Sequence, residues 1–244
     1  MMVCADVTLT LDSFARWLEG QELTATPRRG RAKKVTYCAE IGAFDIETTN
    51  IPEIKQAVLY HWQFQWGDRV TVIGRQAEEV PKLFDLIGRK LNKAGLSMLV
   101  FVHNLSFEFQ FMAGWHHFMP DDTLVVDDRT ILSADWGPVE FRCSYLQSGQ
   151  SLSALCKKYN VAHGKLSGDD FDYRKQRYPW TPMSGAETEY CLNDVRGLVE
   201  AMDARREERG DTWYSFPIYQ DGLYSQEGKT GAVSHDPVCS GKAI

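Results

Sequence analysis

Four carboxylates stand at the edges of apolar, strand-like or helical runs in this chain, and few folds tolerate that unless something positive offsets it. They fall in three islands: F-D-I-E-T-T at Phe44–Thr49, H-N-L-S-F-E-F at His103–Phe109 and Y-C-L-N-D at Tyr190–Asp194. Asp45 and Glu47 lie two apart on strand-like texture, so both project from one face. Tyr190 precedes Asp194 by four residues on a helical run, one turn away on the same face. Glu108 opens a helix directly after a buried apolar run, where the helix dipole favours an acid. Asn104, four residues earlier, is placed either to cap that helix or to hold a substrate oxygen. Two hard divalent cations, Mg²⁺ or Mn²⁺, suit such an oxygen-rich set, and a two-metal site of this kind hydrolyses phosphodiesters. A phenol such as that of Tyr190 can orient the attacking water or help remove its proton. Singly, a D-x-E on a strand, a Y-x-x-x-D on a helix or a lone His103 is weak. Their combined order and spacing points to a metal-dependent nuclease.

Composition leaves room for that reading. The 244 residues can bury one generous core, and 43% hydrophobic and 12% aromatic content is ordinary for a globular protein. No apolar run approaches the ~20 residues needed to span a bilayer. The N-terminus lacks a signal peptide's basic start and long apolar stretch, which predicts a cytoplasmic location and no membrane partner. Six cysteines form no C-x-x-C pair and read as reduced packing thiols. A net charge of −6 argues against sequence-independent duplex binding over the whole surface. The exception is Pro27–Lys34, with five cations in eight residues, which is either a solvated linker or a phosphate-contacting arm.

Periodicity orders the elements. Ala5–Glu19 is weakly helical, with Leu11, Phe14 and Trp17 at three-residue steps. Val35–Asp45, Ala57–Gln65 and Arg69–Gly74 predict a three-strand meander. Glu78–Ala94 predicts a helix with Val80, Leu83, Phe84, Ile87 and Leu91 on one face. Leu96–Val102 predicts a buried strand leading into the helix of Glu108. Thr123–Leu132 and Val139–Leu146 predict two more strands, with helices at Ser151–Tyr159 and about Ser184–Arg209. Strands first, then alternating strand and helix, predicts an α/β (α+β) domain with a mixed central sheet flanked by helices.

The three islands resemble the Exo I, Exo II and Exo III motifs of the proofreading 3′-5′ exonuclease domain of family B DNA polymerases, a ribonuclease H-like fold. More narrowly, the chain resembles the protein-primed polymerases of bacteriophages. H-N-L-S-F-E-F-Q-F, F-R-C-S-Y-L at Phe141–Leu146, G-K-L-S-G-D-D-F-D-Y at Gly164–Tyr173 and Y-C-L-N-D-V with Arg196-Gly197-Leu198 carry the likeness, which covers Tyr37 to Gly222. The resemblance implies that Asp45, Glu47, Glu108 and Asp194 hold two metals and that Tyr190 positions the attacking water. It implies further that Lys165 steadies the scissile phosphate. Thr48, Asn104 and Phe107 would grip the 3′ end of a single DNA strand, and Ser144 and Leu146 would contact that strand.

Two positions depart from the family. Glu108 stands where several relatives have Asp, and Cys143 where many have Asp. The paired aspartates of the polymerase palm are absent from this sequence. Residues 1–34 are expected to be an extension with a basic linker, 35–210 the exonuclease domain, and 211–244 the start of a polymerase region with a disordered tail. Read one nucleotide out of frame, codons for G-L-Y-S-Q-E-G-K-T-G-A can spell a basic string like the family's next segment. Leu223–Ile244 is therefore expected to be a frameshifted tail on a truncated polymerase. A terminal (priming) protein and a separate polymerase fragment are the partners this implies. The rival expectation is a catalytically weak remnant that binds single-stranded DNA or the priming protein.

Overall fold

β1 (Thr8–Leu9), β2 (Gly42–Ile51), β3 (Gln56–Trp66), β4 (Val70–Gly74), β5 (Met98–Val102), β6 (Thr123–Asp127), β7 (Thr130–Trp136) and β8 (Val139–Cys143) form one sheet, in the order β1-β4-β3-β2-β5-β8-β7-β6. β2, β3 and β4 run antiparallel, as do β6, β7 and β8, whereas β5 lies parallel to both β2 and β8. This is the mixed α/β sheet that the alternation of elements predicts. The structure, a computed structural model, describes residues 2–26, 35–53, 55–127, 129–166, 171–172 and 174–209. The basic segment Pro27–Lys34, the 210–244 region and both expected domain boundaries lie outside the described residues.

Period-two alternation decides what each face of the sheet buries. On β3, Trp62, Phe64 and Trp66 are fully buried against α1 (Leu11–Glu19) and α2 (Glu79–Ala94). Burial of such side chains stabilises by about 1.5–3 kcal/mol each. Phe44, Phe84 and Phe141 interlock there edge to face, with centroids 4.9–6.5 Å apart. The opposite face carries His61, Gln63 and Gln65 and is covered by the long α6 (Gly185–Arg209), with α5 (Leu152–Tyr159) beside it.

Most of α6 is buried although its sequence is polar, and two of its buried charges, Arg196 and Glu200, are held by specific partners. The Arg196 guanidinium donates to Asp6 at 2.9 Å and to Thr71 at 3.0 Å. The Glu200 carboxylate accepts from Cys4 N–H at 2.8 Å and from His163 N–H at 3.0 Å. These bonds tie the N-terminal segment to α6, and β1 pairs with β4 along the same edge. The cysteines of the described region are all free and buried. Among the described residues no helix is long and apolar enough to cross a membrane.

Boundaries differ from expectation where side chains redirect the backbone. Thr123–Leu132 is not one strand but the β6–β7 hairpin, because Asp127 Oδ1 accepts from Arg129 N–H at 2.9 Å and closes a turn. Val139–Leu146 ends as a strand at Cys143, and Ser144–Ser148 form the short α4, closed by Gly149 at φ +67°. The first helix starts only at Leu11, after β1. The first acidic island sits inside β2 rather than at its end.

Gly197 marks the closest approach of α6 to its surroundings: a Cβ there would stand 2.2 Å from the His163 carbonyl oxygen. Gly197→Ala is expected to destabilise the fold by roughly 1–3 kcal/mol through overpacking. That outweighs the ~1 kcal/mol that alanine normally contributes in a helix. Urea denaturation of the two proteins measures the difference.

Candidate metal centre

β2 and β5 pair only at Gly42↔Val100 and Ala43↔Phe101, and beyond that register no pairing continues between them. Open α/β sheets bind ligands at the carboxyl ends of such strands. Asp45 and Glu47 occupy β2 just past this point. Because Phe44 and Ile46 turn into the core, the two acids face α6, where Asp194 is buried. One carboxylate oxygen from each of Asp45, Glu47 and Asp194 lies within 4.8 Å of the others. The fourth acid arrives from the end of β5. The first turn of α3 (Leu105–Trp115) carries Glu108, which is buried and near enough to Asp45 for each to influence the other's charge.

Little positive charge answers these four. Lys165 Nζ reaches Asp194 Oδ2 at 2.5 Å and lies 5.3 Å from the centre of the Tyr190 ring. Gln63 Nε2 donates to Asp45 Oδ2 at 2.5 Å. Burial, followed by Glu47, Glu108 and Asp194, pushes Asp45 well above the usual carboxylate range. Burial and then Asp194 raise Glu47 to about 7 against the pull of Lys165. Burial raises Glu108 to about 8, and it raises Asp194 despite Lys165. Two buried oxygens, Glu108 Oε2 and Asp194 Oδ1, have no hydrogen-bond partner. Partnerless acceptors among crowded carboxylates fit a hard cation, which supplies the missing charge and takes oxygen ligands.

Tyr190 is buried one turn before Asp194 and stacks on Phe171 at 4.6 Å. Thr48 follows a register shift in β2 and lines a cleft with Glu47. Asn104 holds the N-cap position of α3 with a left-handed backbone (φ +75°), but its side chain makes no capping bond and is exposed. Phe107 is 38% exposed and packs on Phe111. Ser144 is fully buried, donating to the Val102 carbonyl and sharing a 3.0 Å hydrogen bond with His103. Leu146 is half-buried against the core. The expected single-strand contacts thus divide: Asn104 and Phe107 are exposed and Thr48 partly so, whereas Ser144 reaches the cleft through His103.

Sequence reasoning overlooked Gln63, although its place among His61 and Gln65 on an alternating strand marks a polar inner face. It also treated His103 as structural; that ring lines a cleft of about 320 Å³ with Asp45, Lys165 and Asp194. Burial and Lys165 lower the His103 pKa to about 4, so it is neutral at pH 7. A second cleft of about 430 Å³ is lined by Glu47, Thr48, Tyr60, Phe171, Arg174 and Arg177. The acidic cluster lies where the linings of the two clefts draw on neighbouring residues of β2.

Fold and centre together define a mixed-sheet α/β domain with a partly buried acidic site between its central strands and a covering helix. No family model matches the chain, and no curated protein matches it. Among solved structures it is similar to Phi29 DNA polymerase. In the ternary complex with primer-template DNA and incoming nucleotides the TM-score is 0.55 at 16% identity, over 70% of this chain and 31% of that one. In the complex with single-stranded DNA it is 0.53 at 16% identity, over 70% and 32%. In the orthorhombic crystal form it is 0.53 at 13% identity, over 70% and 31%. The chain thus shares the fold of a segment of a protein-primed family B polymerase and spans about a third of that polymerase's length.

Carboxylates whose folded pKa is raised contribute stability below their unfolded pKa, and that contribution is lost as pH rises through the folded value. The metal-free protein is therefore expected to lose stability from about pH 4.5 up through about pH 8, the span set by Glu47 and Glu108. Urea midpoints measured across that range in EDTA should fall. Millimolar Mg²⁺ or Mn²⁺ should flatten the slope, and so should Glu108→Gln.

Proposed function

We propose that the chain is a divalent-cation-dependent 3′-5′ exonuclease domain that trims single-stranded DNA ends and derives from a protein-primed phage DNA polymerase. The observation that carries this reading is the convergence of half-buried Asp45 and Glu47 with buried Asp194, beside buried Glu108, with two partnerless oxygens among them. The order of the three motifs and the likeness to a DNA polymerase fold support it. The four acids would hold two ions, Mg²⁺ or Mn²⁺, which offset their charge and supply the Lewis acidity that phosphodiester hydrolysis needs.

The chain's own groups divide the remaining work. Lys165, poised over Asp194 and Tyr190, is placed to contact a scissile phosphate that competes for its ammonium. Tyr190, one turn before Asp194 and stacked on Phe171, would orient the attacking water with its phenol. Thr48, Asn104 and the exposed ring of Phe107 would grip the terminal nucleotides, the ring by stacking, which tolerates any base. Ser144 would act by positioning His103, and Leu146 by supporting that edge of the cleft. Polymerisation is not part of the proposal for this chain; a priming protein and a separate polymerase fragment are the partners it anticipates.

One observation favours binding without turnover. Glu108 is not among the three acids whose oxygens converge within 4.8 Å, and a longer side chain than aspartate displaces its carboxylate. Small misplacements of this kind can lower rates ~10²-fold. Incubating a 5′-labelled single-stranded oligonucleotide with Mg²⁺ or Mn²⁺ separates the two readings. A ladder shortening from the 3′ end is expected, abolished by Asp45→Ala/Glu47→Ala and slowed about 10²-fold by Tyr190→Phe. A folded wild type that binds metal and yields no ladder would establish the binding remnant instead.

A further inference from the structure

Trp180 is 77% exposed, and no other large apolar side chain among the described residues is as open to solvent. It is nevertheless ordered against a partner: its ring stacks on Tyr178 with centroids 5.1 Å apart and planes 4° from parallel. One face of the indole is thus used and the other is free. The turn beneath it is built, not incidental. Thr181 N–H donates to the Tyr178 carbonyl at 2.9 Å, and Thr181 Oγ1 accepts from Tyr178 N–H at 2.9 Å. Arg75 donates to the carbonyls of Tyr178 at 3.0 Å and Thr181 at 2.8 Å, while its Nε bonds the Tyr60 carbonyl.

Tyr60 lines the second cleft, and so do Arg174, Lys175 and Arg177. Arg177 is buried and committed to Glu187 and to the Asp172 carbonyl, so it shapes the wall. Lys175 pairs with Glu187 at 2.9 Å but stays 42% exposed. Arg174 is exposed, and its guanidinium has no partner among the described residues. Trp180 is three residue steps beyond Arg177, at most about 11 Å of chain. Glu47 and Thr48 line the same cleft.

We infer that the Tyr178–Trp180 stack is a platform for an unpaired base of the single strand, whose phosphates pass Arg174 and Lys175 on the way to the acidic cluster. The inference rests on the exonuclease reading only for its choice of strand. A flat π face beside cations is what a single-stranded nucleic acid recognises, since every base offers a π face and every linkage an anion. An apolar protein surface would leave Arg174 without a matching charge. The platform lies outside the three acidic motifs and gives the cleft a second anchor, away from the reacting end.

Fluorescence anisotropy of a 5′-fluorescein oligodeoxythymidine, with the full chain in an Asp45→Ala/Glu47→Ala background, reads binding without cleavage. Trp180→Ala is expected to weaken binding about 5- to 150-fold, as loss of one stacked base does, and Trp180→Phe to restore most of it. Arg174→Ala/Lys175→Ala should weaken binding and reduce its salt dependence. Unchanged affinity in Trp180→Ala, or no binding by the parent, overturns the platform; so does a loss that Trp180→Phe fails to restore. Hydrolysis is scored separately on the chain with Asp45 and Glu47 intact. Cleavage with Trp180-independent binding removes the platform and leaves the exonuclease reading standing. Trp180-dependent binding without cleavage does the reverse.

Discussion

Three carboxylates converge beside one lysine, with a fourth, Glu108, close to Asp45, and that imbalance governs the site. Ionising all of them would place several like charges in a poorly solvated space, so burial and mutual repulsion hold Asp45, Glu47, Glu108 and Asp194 toward their protonated forms. Gln63 and Lys165 relieve only part of the load. A chain built for stability alone would replace such a cluster with apolar groups of similar volume. Such a cluster beside a well-packed aromatic core suits the proposed cation site.

The rest of the architecture serves that convergence. The brief pairing of β2 with β5 frees the strand ends, and alternation along β2 sends Phe44 and Ile46 one way and the acids the other. α6 must then lie across the polar face of the sheet. It does so as a nearly buried polar helix because Arg196 and Glu200 are satisfied by Asp6, Thr71, Cys4 and His163. Those bonds fix the rotation and height of α6, hence the position of Asp194 and Tyr190. Gly197 permits the close approach that the arrangement requires.

Local signals were enough to read the central strands, the helix of Glu108 and the third acidic helix, since each has a strong period and clear punctuation. The four acids could also be read, because same-face spacing on a strand or helix is a local property. What escaped was non-local. Gln63 joins the site only because β3 pairs with β2 in a register that sets it opposite Asp45. Ser144 and Leu146 were expected on a strand, but the Val102 carbonyl captures the Ser144 hydroxyl and the chain turns into a helix. Arg177 and Glu187, ten residues apart, form a buried pair that no spacing rule connects. Asn104 has the position of a cap without its bond, since a left-handed backbone aims the side chain elsewhere.

Charge also dictates the order in which the site can work. A single strand of nucleic acid brings phosphates to a protein of net charge −6, toward its densest group of acids. At the centre itself, one lysine already bonded to Asp194 cannot reverse that field. For the proposed substrate, attraction would come from farther out, from Arg174 and Lys175 along the second cleft, and at the centre from bound cations. On the proposed reading, cation binding and strand binding would be coupled with the same sign, each supplying charge the other lacks. Anchoring the strand away from the acids, on contacts that do not depend on the ions, lets its end approach the centre without every phosphate having to be stabilised there.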